Sequence, residues 1–83
     1  MLEVKIYITL KKTVADPQGL TIKHALESLG YHNLGEVRIG KLISMKVNSR
    51  DRKEVGQRIE EMCQKLLANP IIEDYTFQIE EVK

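Results

Sequence analysis

The chain has 83 residues, with 13 Lys and Arg against 12 Asp and Glu, one cysteine and two histidines. This length makes one domain, residues 1–83, with a modest core. The balanced charge argues against a nucleic-acid partner, and the cysteine and histidine counts exclude an internal disulfide and a Cys/His zinc cluster. No apolar run approaches the roughly 20 residues of a membrane span, so we expect a cytoplasmic domain.

The N-terminal residues show the clearest strand pattern in the chain. Apolar residues at positions 2, 4, 6, 8 and 10 alternate with polar residues and Tyr7. This period of two predicts a strand that is buried on one side. The other side, which carries Tyr7, is either solvated or used by a partner, and for Tyr7 we expect solvation or packing against a neighbouring strand.

A first helix is predicted to follow. Asp16 can cap it, Pro17 suits its first position, and Gly30 can end it in a left-handed conformation. Between them, apolar residues at 22, 25, 26 and 29 recur at helical spacing. His24 falls on the polar side, as expected for a solvated residue rather than a catalytic base.

The segment Glu36–Val47 has the longest strand pattern. Five apolar residues share one parity and therefore one face: Val37, Ile39, Ile43, Met45 and Val47. Gly40 interrupts the pattern, and a glycine in a strand marks a bulge, a bend or a close backbone approach. We expect one long kinked strand or two short strands.

A second helix and a last strand complete the chain. Asp51 and Glu54 form the D-x-x-E pattern of a capped helix start. The apolar positions that follow include Cys63, which we interpret as a small core residue rather than a nucleophile. The helix should end at Asn69–Pro70. Alternating apolar residues from Ile71 to Ile79 then predict a strand.

The element order is β-α-β-α-β, or β-α-ββ-α-β if the middle strand splits. It predicts an α+β fold, a two-layer sandwich of ferredoxin-like kind, with a largely antiparallel sheet and both helices on one face. The other face of the sheet is left open. An open face in so short a chain favours a dimer or a higher oligomer.

Residues that would carry catalysis are not evident. The five glycines match no phosphate-binding loop, and no nucleophile, base and orienting acid stand together. We expect no catalytic, cofactor-binding or metal-binding residues, and the residues alone indicate an interaction module. An RNA-binding sheet would need more exposed aromatic residues than Tyr7. A regulatory module that binds a small molecule as a homo-oligomer remains an alternative.

Four strings in order resemble the PurS family: LKKTVADPQG at 10–19, HALESLGY at 24–31, EVRIGK at 36–41 and MCQKLLANPIIEDY at 62–75. The family is the small subunit of phosphoribosylformylglycinamidine synthase, in purine biosynthesis. The resemblance implies a non-catalytic subunit that joins a glutaminase subunit to a large synthetase subunit and assists ammonia transfer. It also implies that ATP and magnesium belong to the large subunit, and that the small subunit forms homodimers that can pair into tetramers.

The same resemblance suggests which residues contact the partners. They lie in the first connector and at the kink of the middle strand, within the family's most characteristic strings: Lys11, Lys12, Asp16, Gln18, Arg38, Gly40 and Lys41. Structural roles are the alternative. Asp16 can simply cap the helix, Gly40 can simply bend the strand, and the lysines can be solvated.

Overall fold

The computed structural model describes residues 1–82. In chain order they form β1 (Leu2–Leu10), α1 (Pro17–Ser28), β2 (Gly40–Val47), α2 (Arg52–Met62) and β3 (Glu73–Glu81). Within the described chain the sheet has three strands in the order β2-β1-β3, and β1 pairs antiparallel with both neighbours. The predicted α+β class and antiparallel sheet are confirmed.

The core is built on the central strand. The even-numbered side chains of β1 from Leu2 to Ile8 are buried, as their alternation predicts, and Ile6 is completely inaccessible to solvent. The register places Ile6 between Ile43 of β2 and Phe77 of β3, so the outer strands add apolar side chains to the same face. Helix α2 covers this face with Val55 and Ile59.

The helical segment that comprises α2 and the π-helical turn after it begins and ends close to the predicted positions. Asp51 Oδ1 accepts hydrogen bonds from the backbone N–H groups of Lys53 at 3.1 Å and Glu54 at 3.2 Å, which confirms the predicted cap. After α2 the chain widens into a π-helical turn, Cys63–Leu67, and leaves the helix at Ala68. Cys63 is buried in the core as predicted, and this burial raises the pKa of its thiol.

Both predicted ends of α1 are also confirmed. Asp16 Oδ1 accepts a hydrogen bond from the Gly19 N–H at 2.9 Å. At the other end Gly30 has a φ of +97°, and the Tyr31 N–H donates to the Leu26 carbonyl oxygen at 3.0 Å. This is the backbone pattern of a helix that ends on a left-handed glycine.

The position of α1 departs from the expected layer of two helices. Of the residues of α1 only Gly19 is buried, and Leu20 and Ile22 are 53% and 41% exposed. The core described above draws no residue from α1. The chain measures 48 × 31 × 15 Å with a radius of gyration of 16.3 Å, against about 12 Å for a compact domain of this length. Helix α2 therefore covers the sheet, while α1 is held mainly at its first turns.

The middle strand is also shorter than expected. It begins at Gly40 and runs to Val47 as one strand, and residues 36–39 are not part of the sheet. The reason is that the Ile39 N–H, which could have continued the pairing, donates instead to Asp16 Oδ2 at 2.7 Å. Gly40 marks a close approach, since a Cβ there would lie 2.8 Å from the Ile8 carbonyl oxygen.

A candidate partner-binding region at one end of the sheet

Two stretches outside the strands meet at one end of the sheet. We call residues 11–16, which leave β1, the connector, and residues 35–39, which enter β2, the return segment. Because Thr9 pairs with Gly40, the connector and the return segment emerge side by side. All seven residues predicted to contact partners lie here or at the adjacent ends of α1 and β2, and the side chain of Lys12, in the connector, is exposed.

Asp16 joins three parts of the chain. Its side chain is buried, with Oδ1 capping α1 and Oδ2 accepting from Ile39 of the return segment. The backbone N–H groups of Ile39 and Gly19 stabilise the carboxylate and lower the pKa of Asp16. Since folding lowers this pKa, the ionised carboxylate stabilises the fold above the ordinary pKa of aspartate. That contribution disappears as the pH falls through the lowered value.

Arg38 makes the opposite connection, from the return segment back to the connector. Its Nη2 donates to the backbone carbonyl oxygens of Lys11 at 2.9 Å and Val14 at 2.8 Å. Its Nε lies 3.4 Å from Glu36 Oε1, and the side chain is 25% exposed. The guanidinium therefore pairs the Val14 carbonyl and adds a second donor to the Lys11 carbonyl, which also accepts from the Val14 N–H.

These two side chains form a reciprocal connection that we call the clasp. Asp16 of the connector binds a backbone N–H of the return segment, and Arg38 of the return segment binds backbone carbonyls of the connector. Next to the clasp, a Cβ at Gly19 would lie only 2.1 Å from the Val37 carbonyl oxygen. Gly19 was not among the predicted residues. A glycine in the first turn of a helix, where its propensity is poor, was the available signal.

The remaining predicted residues surround the clasp. Lys11 Nζ lies 2.8 Å from Asp74 Oδ1, and Lys41 Nζ lies 3.5 Å from Glu73 Oε2, so both lysines connect this end of the sheet to the start of β3. The Lys11–Asp74 pair is solvent-exposed, and pairs of this kind contribute little to stability. Gln18 lines a cavity of about 190 Å³ together with Asp16, Gly40 and Lys41. The structure therefore brings most of the predicted residues together.

The described residues also bear on metal binding and on membrane insertion. Residues 1–82 contain no group of three or more His, Cys, Asp or Glu side chains that could hold a metal ion. Over the same residues, neither helix has the length and apolar character needed to cross a membrane.

Comparison with known proteins shows full-length relatives. Residues 3–81 match the family model "PurS: Phosphoribosylformylglycinamidine (FGAM) synthase". The chain is 46% identical to the phosphoribosylformylglycinamidine synthase subunit PurS of Bacillus subtilis, over 99% of this chain and 96% of the relative. It is 41% identical to the PurS subunit of Methanocaldococcus jannaschii over the whole length of both chains.

Solved structures agree with these matches. The fold is similar to crystal structures of PurS from B. subtilis, with a TM-score of 0.87 over 98% of this chain and 100% of that one, and from M. jannaschii, with 0.90 over 100% of both. It is also similar to a chain in the structure of PurLQS from Thermotoga maritima, with a TM-score of 0.84 at 25% identity, over 96% of this chain and 99% of that one. Sequence, length and fold thus agree over almost every residue, and the chain belongs to the PurS family, as a subunit of phosphoribosylformylglycinamidine synthase in purine biosynthesis.

Proposed function

We propose that this chain is a non-catalytic adaptor that joins a glutaminase subunit to the ATP-dependent large subunit of the synthase and assists ammonia transfer between them. The observation that carries the proposal is the end-to-end similarity to PurS chains, one of which comes from the PurLQS structure of T. maritima. In this proposal ATP and magnesium belong to the large subunit, and the complex works in the cytoplasm.

The chemistry of ammonia explains why such an adaptor is useful. Ammonia in neutral water is largely protonated and then has no lone pair with which to attack a carbon atom. A site that produces ammonia and a site that uses it must therefore be held together with water excluded between them. A subunit that binds both partners raises their effective concentration without adding any chemistry of its own.

The connector, the return segment and the adjacent ends of α1 and β2 form the candidate region, which supplies the groups that we propose for partner contact. Lys12, Gln18 and Lys41 have exposed side chains, and Lys11 lies beside them, half-buried. Asp16 and Arg38 belong to the same proposed region but lie deeper, where they fix its shape, and Gly40, which is exposed, marks the close approach of β2 to β1. The region therefore combines a rigid base with a rim of exposed polar and charged groups.

Reconstitution of the synthase tests this function. Formation of formylglycinamidine ribonucleotide is measured with the glutaminase and large subunits, with and without this chain, using either glutamine or an ammonium salt. We expect the chain to be required with glutamine and to matter much less with ammonium, because free ammonia in bulk makes the connection between the active sites unnecessary.

Two lysine variants on the same strand sharpen this experiment. Lys41→Glu, in the candidate region, should lower the glutamine-dependent rate, whereas Lys46→Glu, at the far end of β2, should have little effect. If the chain changes neither rate, the adaptor role is wrong. A screen of small metabolites against the isolated chain would then test the regulatory alternative.

We also propose that the chain self-associates through its sheet. On the open face, exposed Tyr7 lies opposite exposed Leu42 in the register, and β2 and β3 are edge strands of the described sheet. A two-fold symmetric contact would bury this pair. Sedimentation at tens of micromolar should show a dimer or tetramer, and Leu42→Ser should shift it toward monomer. Leu66→Ser, at an exposed site after α2, is the control, and a monomeric parent chain would contradict the proposal.

A further inference from the structure

Helix α1 is attached to the rest of the chain mainly at its first turn. Gly19, in the first turn, is its one buried residue, and its exposed apolar residues lie outside the core of the sheet. Helices in small domains are normally fixed in place by an apolar face packed on the core. For α1 this apolar packing on the core is largely missing, so another interaction must set the direction of the helix relative to the sheet.

The clasp supplies this interaction. Three hydrogen bonds cross between the connector and the return segment: one from Ile39 N–H to Asp16 at 2.7 Å, and two from Arg38 to the connector carbonyls at 2.8 and 2.9 Å. Each involves a charged side chain, and such bonds are stronger than neutral ones. They join the chain immediately before α1 to the chain after it, so together they act as a fixed base for the helix.

The atoms that form the clasp already have partners within the chain. Both carboxylate oxygens of Asp16 accept backbone N–H groups, and Nη2 of Arg38 donates to two carbonyls. A partner subunit that bound these atoms would first have to break the clasp. Their effect on a partner is therefore indirect, through the direction that they give to α1.

We infer that Asp16 and Arg38 are positioning residues, whose clasp fixes the direction of α1 relative to the sheet, and that the assembled synthase requires α1 in this direction. The inference rests on the proposed function as an adaptor. It assigns the two residues a role that differs from direct contact with a partner, which the exposed side chains around them can supply.

Asp16→Asn is the variant that leaves one of the two backbone N–H groups at this side chain without an acceptor. The one remaining side-chain oxygen can accept from either the Gly19 or the Ile39 N–H, and the amide NH2 group, itself a donor, then faces the other N–H. The link between the connector and the return segment or the cap of α1 therefore loses a hydrogen bond. Asp51→Asn is the matched control, because one oxygen of Asp51 makes both capping bonds of α2 and the other is not needed. The two variants remove the same charge from the same kind of position.

Amide hydrogen exchange on the isolated chain measures the clasp directly. In Asp16→Asn the amides of α1 and the return segment should exchange about 2- to 10-fold faster, as expected when one hydrogen bond no longer opposes local opening. The amides of β1 should be unchanged. In Asp51→Asn the amides of α1 should exchange as in the parent chain.

The reconstituted synthase measures the consequence. Asp16→Asn should lower the glutamine-dependent rate, while Asp51→Asn should not. At Arg38, Lys keeps a donor within reach of the connector carbonyls and Met has none, so Arg38→Lys should retain more of the rate than Arg38→Met. Rescue by lysine, together with faster exchange in α1, is the result that supports positioning.

Other results would overturn the inference. Normal exchange in Asp16→Asn would show that the clasp does not hold α1, and faster exchange with an unchanged glutamine-dependent rate would show that the synthase does not require it. If the parent chain itself is not needed with glutamine, the adaptor function and the role of the clasp in it both fail. The exchange data then still report whether the clasp exists in the isolated chain.

Discussion

Replacing Gly19 with alanine should detach the first turn of α1 from the return segment. An ideal Cβ at this position lies 2.1 Å from the carbonyl oxygen and 2.9 Å from the carbonyl carbon of Val37. Both are backbone atoms, so no side-chain rotation can relieve the overlap. Overpacking of this kind costs about 1–3 kcal/mol and sometimes more. We expect a lower free energy of unfolding in urea, with faster amide exchange concentrated in α1 and residues 35–39.

Gly56→Ala is the control for this prediction, since Gly56 lies within α2. A Cβ there meets only the flexible Ile79 Cδ1, at 3.8 Å, an ordinary van der Waals contact. Alanine should therefore stabilise the chain by about 0.5–1 kcal/mol through its better helix propensity. If Gly19→Ala were stabilising by a similar amount, the close approach to Val37 would be wrong.

The features that were predicted correctly depend on local patterns. The alternation along β1, the capping residues Asp16 and Asp51, and the position of Cys63 in the apolar stripe all follow from residues within a turn or two of one another. Local periodicity and capping chemistry are sufficient for such predictions because the groups that interact are close in the sequence.

The features that were missed depend on contacts between distant residues. Val37 and Ile39 continue the parity of β2, and this made residues 36–39 look like strand. Their backbone groups instead face Asp16 and Gly19, about 20 residues earlier in the chain. The same contacts hold α1 at the end of the sheet, where its apolar residues cannot reach the core. Periodicity does not reveal which distant partner takes a backbone N–H group.

In the candidate region too, the positions of the residues could be predicted, but their contacts with distant parts of the chain could not. The family resemblance selected seven residues, and the structure places all seven at one end of the sheet. It does not follow that all of them act in the same way. Asp16 and Arg38 satisfy backbone groups inside the chain, whereas the lysines and Gln18 lie nearer the surface, and contact of any of them with a partner remains a prediction.

Ile59→Ala should destabilise the whole sheet, in contrast to the local effect at Gly19. Ile59 is the completely buried residue of α2 and packs on the core of β1. Truncation of a buried isoleucine costs about 2–5 kcal/mol, and a domain of this length has about 4–12 kcal/mol in total. The urea midpoint should fall sharply, and the amides of β1 should lose protection together with those of α2. Leu66→Ala, at a site that is 82% exposed, should change the free energy of unfolding by less than about 0.5 kcal/mol. Equal effects of the two variants, measured at one protein concentration, would contradict the assignment of the core to β1 and α2.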